Sequence, residues 1–105
     1  MITIKTERKP GRFYVKLSGH AGYAPPGEND IVCAAISMIF YTFINTIETW
    51  KKKNSIEIAY EDKEGKAWVS VTYREDDKKV QGSVEMLVTG FLMLKEKYPQ
   101  NINFF

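Results

Sequence analysis

Apolar and polar residues alternate in two short runs at the start of the chain. Ile2 and Ile4 share one face of residues 1–6, and Phe13, Val15 and Leu17 share one face of residues 12–18. A period of two predicts strands, and Lys9-Pro10-Gly11 between them predicts the turn of a hairpin. Residues 19–29 (GHAGYAPPGEN) hold three Gly, two Pro and no apolar period, and read as a loop. Asn29 or Asp30 then caps a helix that runs to about Lys52, and Asn54 breaks it. Ile56, Ile58 and Tyr60 alternate as a third strand. After a turn at Asp62-Lys63-Glu64-Gly65, residues 68–73 form a fourth, with Val69 and Val71 opposite Trp68, Ser70 and Thr72. A charged connection leads to a second helix over residues 80–97, where Val84, Leu87, Val88, Phe91, Leu94 and Tyr98 follow helical spacing. Tyr98-Pro99 ends it, and Ile102, Phe104 and Phe105 make a short last strand. The order ββα-ββα-β predicts an α+β fold, in which an antiparallel sheet of about five strands and two helices form a two-layer sandwich. A length of 105 residues suits a single domain, residues 1–105, with one core.

The first helix is apolar around more than one side: Ile31, Ile36, Ile39, Phe40, Phe43, Ile44 and Ile47 do not fit on a single stripe. Such a helix needs cover on more than one face. The sheet and the second helix supply two covers, and a second copy of the chain supplies the rest, so a homodimer is expected. Residues 31–47 are shorter than the ~20 residues of a membrane span. Ser37, Thr42, Asn45 and Thr46 interrupt them, and Trp50-Lys51-Lys52-Lys53 follows. A buried helix is therefore expected, with no membrane contact. The alternating N-terminal run lacks the apolar stretch of a signal peptide, which predicts a cytoplasmic protein.

Composition narrows the chemistry. With 44% hydrophobic and 27% charged residues the chain is globular in type, not disordered. Fifteen Lys+Arg against thirteen Asp+Glu give a net charge of +2, too small a basic footprint to argue for nucleic acid. One Cys excludes an internal disulfide. One Cys with one His also excludes the usual four-ligand zinc site, so no metal is expected. The Gly-rich loop carries neither a Walker-type Gly-Lys-Ser/Thr nor G-x-G-x-x-G, and no cofactor is expected either.

What remains is the pair itself: His20 in the Gly-rich loop, and Cys33 in the first turn of a helix. A helix N-terminus presents unpaired N–H groups and a partial positive charge, and both favour a thiolate. An imidazole beside it can take the thiol proton and later protonate a leaving amine. First-turn N–H groups can also form an oxyanion hole. Asp30 either orients His20 or caps the helix, and Ser37 lies one turn below Cys33. Against this, a Cys beside Val32, Ala34 and Ala35 can equally be a small buried hydrophobe, and spacing alone does not decide. In the loop, Gly19, Gly22 and Gly27 allow close backbone approach while Pro25-Pro26 limits its freedom.

Gly19-His20-Ala21 and Asp30-Ile31-Val32-Cys33-Ala34-Ala35-Ile36-Ser37 together resemble the signature of the ribosomal-processing cysteine proteases, the Prp family. The likeness covers eleven positions in two blocks, and length and element order extend it over the chain. It implies an endopeptidase with Cys33 as nucleophile and His20 as general base and acid, and with Asp30 and Ser37 in support. The implied substrate is the N-terminal extension of a large-subunit ribosomal protein, or a similar segment of a phage structural protein, cut after a Phe-Phe pair and before a small residue. Dimers with a mobile loop between His and Cys are implied as well. The loop residues Gly19, Gly22, Tyr23 and Gly27 are then candidates to meet the substrate. Two Phe side chains call for an apolar groove, which Tyr23 and Met38 can line, although core or loop packing explains Met38 better. The terminal Phe104-Phe105 faintly matches the substrate segment, but an edge strand explains it better. The alternative is a non-catalytic ribosome- or RNA-associated module, supported only by Lys51-Lys52-Lys53 and Lys78-Lys79, runs that otherwise read as solvated helix ends.

Overall fold

The computed structural model describes residues 1–25 and 27–105. The expected conformational restriction at Pro26 lies outside the described residues. In chain order the elements are β1 (Ile2–Lys9), β2 (Arg12–Gly19), α1 (Ile31–Trp50), β3 (Glu57–Lys63), β4 (Lys66–Thr72), α2 (Lys78–Lys97) and β5 (Ile102–Phe104). The expected ββα-ββα-β order and the α+β class both hold. The five strands lie in the order β3-β4-β2-β1-β5.

One feature of the sheet differs from expectation. β1–β2, β2–β4 and β3–β4 are antiparallel, but β5 runs parallel to β1, pairing Ile2 with Ile102 and Ile4 with Phe104. The reason is the crossover. β4 runs in the same direction as β1, and α2 carries the chain back to the end where β1 starts, so the next strand must be parallel. The sheet is therefore mixed.

The core lies between one face of this sheet and the two helices. Ile2 and Ile4, Phe13, Val15 and Leu17, and Val69 and Val71 are all buried, as their alternation predicts. The opposite face carries the pleat partners, among them Tyr14 stacked on Trp68 with centroids 6.4 Å apart. α1 buries Val32, Ile36, Phe40, Phe43, Ile44 and Ile47, and α2 buries Val80, Val84, Leu87 and Phe91. The helices approach closely at Gly90, where a Cβ would lie 3.0 Å from Ile39 Cδ1. β3 is an edge strand, so Tyr60 remains 48% exposed although it alternates correctly.

α1 is 20 residues long with mean hydropathy 1.7, so by length and composition alone it can cross a membrane. Shortness therefore does not separate it from a span. What marks it as a core helix is its stripe of six buried side chains against the sheet and α2. The lysine runs are also unlike each other. Lys51 follows the C-terminus of α1, where a cation is favourable, but Lys78 and Lys79 open α2, where it is not. Lys79 instead places its ammonium 5.7 Å from the centre of the Trp50 ring.

Candidate active site

Four chain segments converge at one end of the sheet: the end of β2, the start of α1, the β3–β4 turn and the residue before β5. Gly19 closes β2 there with φ +87°, and a Cβ on it would sit 2.6 Å from the Met1 carbonyl oxygen. Only glycine fits this position. Its N–H donates to the Gly65 carbonyl at 2.9 Å, which ties the end of β2 to the β3–β4 turn. His20 follows directly and is exposed. Its imidazole lies along the same turn, because a Cβ built on Gly65 would meet His20 Nε2 at 3.5 Å.

Asp30 caps α1. Its Oδ1 accepts from the N–H groups of Val32 and Cys33, each at 3.0 Å. Its Oδ2 accepts from Tyr23 at 2.9 Å and Ala24 at 3.3 Å. One carboxylate thus fixes both the helix start and the loop before it. Partial burial draws the Asp30 carboxyl upward, but the N–H groups of Cys33, Ala24, Tyr23 and Val32 outweigh it and hold it below the ordinary carboxylate value. Of the two roles considered for Asp30, the structure gives it the cap. Its hydrogen bonds among the described residues go to backbone, none to His20.

The same bonds narrow the expected oxyanion hole, leaving the Ile31 N–H as the first-turn donor that they do not engage. The Val32 and Cys33 N–H groups are taken by Asp30 Oδ1, and the Ala34 N–H donates to the Asp30 carbonyl at 3.0 Å. First-turn donors satisfied by a carboxylate cap are not free to meet substrate. The donor that does face the sulfur comes from the loop: the Ala21 N–H reaches Cys33 Sγ at 3.4 Å. This contact brings the two sequence blocks together, since that N–H belongs to the peptide unit joining His20 to Ala21. Cys33 itself is half-buried and reduced. Ser37 lies one turn further along α1 and is exposed.

The loop is pinned at several points. The Tyr23 ring meets the Tyr98 ring edge-on at 5.4 Å, tying the loop to the end of α2. Gly22 and Gly27 both take positive φ, +68° and +87°. The Ala21 carbonyl accepts from the Asn101 side-chain amide at 3.0 Å. Met38, for which packing was the favoured reading, is 68% exposed on α1 instead. Two cavities, of about 220 and 320 Å³, are lined by residues such as Lys9, Arg12 and Tyr14, and Arg8, Pro10 and Tyr73. Both lie around the β1–β2 turn, at the opposite end of the sheet from Cys33. The described site is thus a surface feature around a half-buried thiol.

The sequence marks Gly65 only as part of a turn and does not mark Asn101 as a site residue. Neither belongs to a catalytic motif, and Asn101 lies 80 residues from the loop residue it holds. Ala21 was inside a recognised block, but only its main chain acts, and a backbone donor leaves no mark in residue type.

Comparison with known proteins identifies the family and the fold. A solved structure of the S. aureus ribosomal processing protease Prp with a covalently linked product peptide is 25% identical, covers 100% of both chains and superposes with a TM-score of 0.78. SMU.848 from Streptococcus mutans is 28% identical over 99% of this chain and 91% of its own, with a TM-score of 0.73. The S. aureus protease with a substrate peptide, 23% identical with a TM-score of 0.75, shares the fold. No curated protein sequence matches the chain. The family model described as cysteine protease Prp matches residues 1–103, and the chain belongs to that family of cysteine proteases.

Proposed function

We propose that this protease removes the N-terminal extension of a large-subunit ribosomal protein, cutting after a Phe-Phe pair, with Cys33 as nucleophile and His20 as general base and acid. The observation that carries the reading is the 3.4 Å approach of the Ala21 N–H to Cys33 Sγ, which sets His20 one residue from the sulfur's hydrogen-bond partner. His20 takes the thiol proton, and the thiolate adds to the carbonyl carbon of the scissile bond. Collapse of the tetrahedral adduct breaks the C–N bond as the imidazolium protonates the leaving amine, leaving a thioester. His20 then deprotonates water, the hydroxide displaces the thiolate, and the thiol is restored. The Ala21 N–H donates to Cys33 Sγ and so favours the thiolate from which the reaction starts. A ribosomal substrate places the protein in the cytoplasm.

The test is a peptide containing Asn-Leu-Gln-Phe-Phe-Ala, incubated with the protein and read by mass. Cleavage between Phe and Ala is expected, with none by Cys33→Ala or His20→Ala. No cleavage by the native chain overturns the substrate assignment, and cleavage by Cys33→Ala overturns the nucleophile. A phage structural segment of similar sequence, in a parallel reaction, decides whether host or phage protein is the better substrate.

The chain acts as a homodimer in this reading. What supports it is that Met38 on α1 and Met86, Leu92 and Met93 on α2 are each at least 47% exposed, apolar side chains that a second copy of the chain can cover. A gel-filtration mass of one chain at micromolar concentration counts against it.

A further inference from the structure

Asp30 occupies the helix N-terminus with a negative charge, so the Val32 and Cys33 N–H groups, which ordinarily favour a thiolate there, are satisfied and the partial positive charge is partly neutralised. The thiolate then depends on a donor from outside α1. Among the described residues that donor is the Ala21 N–H, at 3.4 Å from Cys33 Sγ. What fixes its direction is a matter of geometry. The peptide unit before the Ala21 Cα carries the N–H, and the unit after it carries the Ala21 carbonyl. The two share one pivot, and the methyl group on that pivot is 1% exposed. With that pivot packed in the core, holding the second unit restricts the rotation of the first.

The Asn101 side-chain amide does this, donating to the Ala21 carbonyl at 3.0 Å. Asn101 is itself clamped at both main-chain atoms. Its N–H donates to the Tyr98 carbonyl at 3.0 Å, closing the end of α2, and its carbonyl accepts from the Ile2 N–H at 3.0 Å, joining β1. A side chain rooted in the sheet edge and in a helix end is a rigid support for a loop. A two-sided amide also suits the place, since only a donor can meet a carbonyl there.

We propose that Asn101 is a positioning residue for the Cys33 nucleophile: its amide holds the Ala21 main chain so that the Ala21 N–H stabilises the thiolate. This rests on the reading of Cys33 as nucleophile and adds to it a residue that touches neither sulfur nor substrate.

The test uses Asn101→Leu, which keeps the shape and loses the donor, and Asn101→Asp, which replaces the donor with an acceptor. Cys33 is the one cysteine in the chain, so a single iodoacetamide adduct read by mass reports it alone. Alkylation rates are compared at pH 7 and pH 9.5. A looser loop speeds both rates alike, whereas loss of thiolate stabilisation lowers the pH 7 rate relative to the other. The ratio is expected to fall about ten-fold in Asn101→Leu, the low end for one hydrogen bond to a charged atom, and further in Asn101→Asp. In peptide cleavage kcat falls with it while KM stays within about two-fold, as for an interaction that acts on the reacting group alone. An unchanged ratio in a folded variant overturns the proposal. So does failure of both variants to fold, which makes Asn101 structural only. If the native chain leaves the peptide intact but the ratio still falls, the positioning role stands and the substrate assignment fails.

Discussion

Tyr41 on α1 donates its hydroxyl hydrogen bond to the carboxylate of Asp62 on β3. Tyr41 lies two turns after Cys33 on the helix, and Asp62 lies three residues before Gly65, whose turn supports His20. The bond is thus a strut between the helix that carries Cys33 and the hairpin turn beside His20. Both groups are exposed, so Tyr41→Phe costs stability only about 0.5–1 kcal/mol. Activity is expected to fall several-fold, because Cys33 and His20 lose a shared reference. The bond to Asp62, then desolvation and the charges of Asp62 and Tyr60, raise the Tyr41 hydroxyl above its ordinary value of 10.0. A raised folded value means that the stabilisation is complete below pH 10.0 and disappears as pH climbs through the folded value. Urea midpoints of the native chain and Tyr41→Phe therefore converge above that pH, and a gap that widens there contradicts the assignment.

Gly65 is required twice. Its φ is +74°, which an alanine adopts at a cost of about 1 kcal/mol, and the added methyl would stand 3.5 Å from His20 Nε2. Gly65→Ala is expected to lower the melting temperature by a few degrees and to reduce kcat by more than that loss explains, since the imidazole is in contact with the new atom. Gly65→Asn, which tolerates the left-handed region better, separates the two effects. It should recover part of the stability and little of the activity.

Asp30→Ala removes the cap and the loop staple together. Loss of an N-cap costs about 1 kcal/mol, at most about 2, and here the N–H groups of Tyr23 and Ala24 also lose their acceptor. The Asp30 carboxyl is held below 3.8, so its stabilisation is fully present above that pH and is lost as pH falls through the lower folded value. Denaturation midpoints of the native protein and Asp30→Ala should differ at pH 7 and approach each other as pH falls below 3.8 and through the lower folded value. If the loop gains freedom as argued, proteolytic nicking between residues 22 and 29 appears in the variant first.

Most of the framework could be read from period. Ile2, Ile4, Phe13, Val15 and Leu17 went to the core as alternation requires, and Val84, Leu87 and Phe91 as helical spacing requires. Boundaries moved where local signals were shared. β3 reaches Lys63 because a two-residue turn at Glu64-Gly65 suffices, so Asp62 and Lys63 pair in the ladder and do not form the turn. The parallel pairing of β5 was not legible, because residue types in Ile102–Phe104 fit either direction and only the crossover by α2 decides. In the site, Cys33, His20 and Asp30 could be named from the chain. The use of the helix N-terminus could not: Asp30 is at once the residue that starts the helix and the one that takes its donors from the site. The replacement donor is main chain, and its support comes from the far end of the sequence.

The last two residues bear on the same support. Phe104 is partly buried against the core, and Phe105 donates its N–H to the Ile4 carbonyl at 2.9 Å and accepts from the Thr6 N–H at 3.4 Å. Its ring lies 6.0 Å from the Lys5 ammonium. The tail is therefore engaged as a strand on the edge of β1, which favours the edge-strand reading over the substrate-like one. Deleting Phe104 and Phe105 exposes the β1 edge and removes apolar area worth about 1–3 kcal/mol. Because Asn101 is joined to Ile2 at the start of the same strand pairing, the fraying should reach Ala21 and slow peptide cleavage. Phe104→Ala with Phe105→Ala keeps the backbone ladder and should lose stability while sparing more of the rate. A rise in cleavage rate on deletion, with the oligomeric state unchanged, would mean instead that the tail occupies the active site of a second copy in trans.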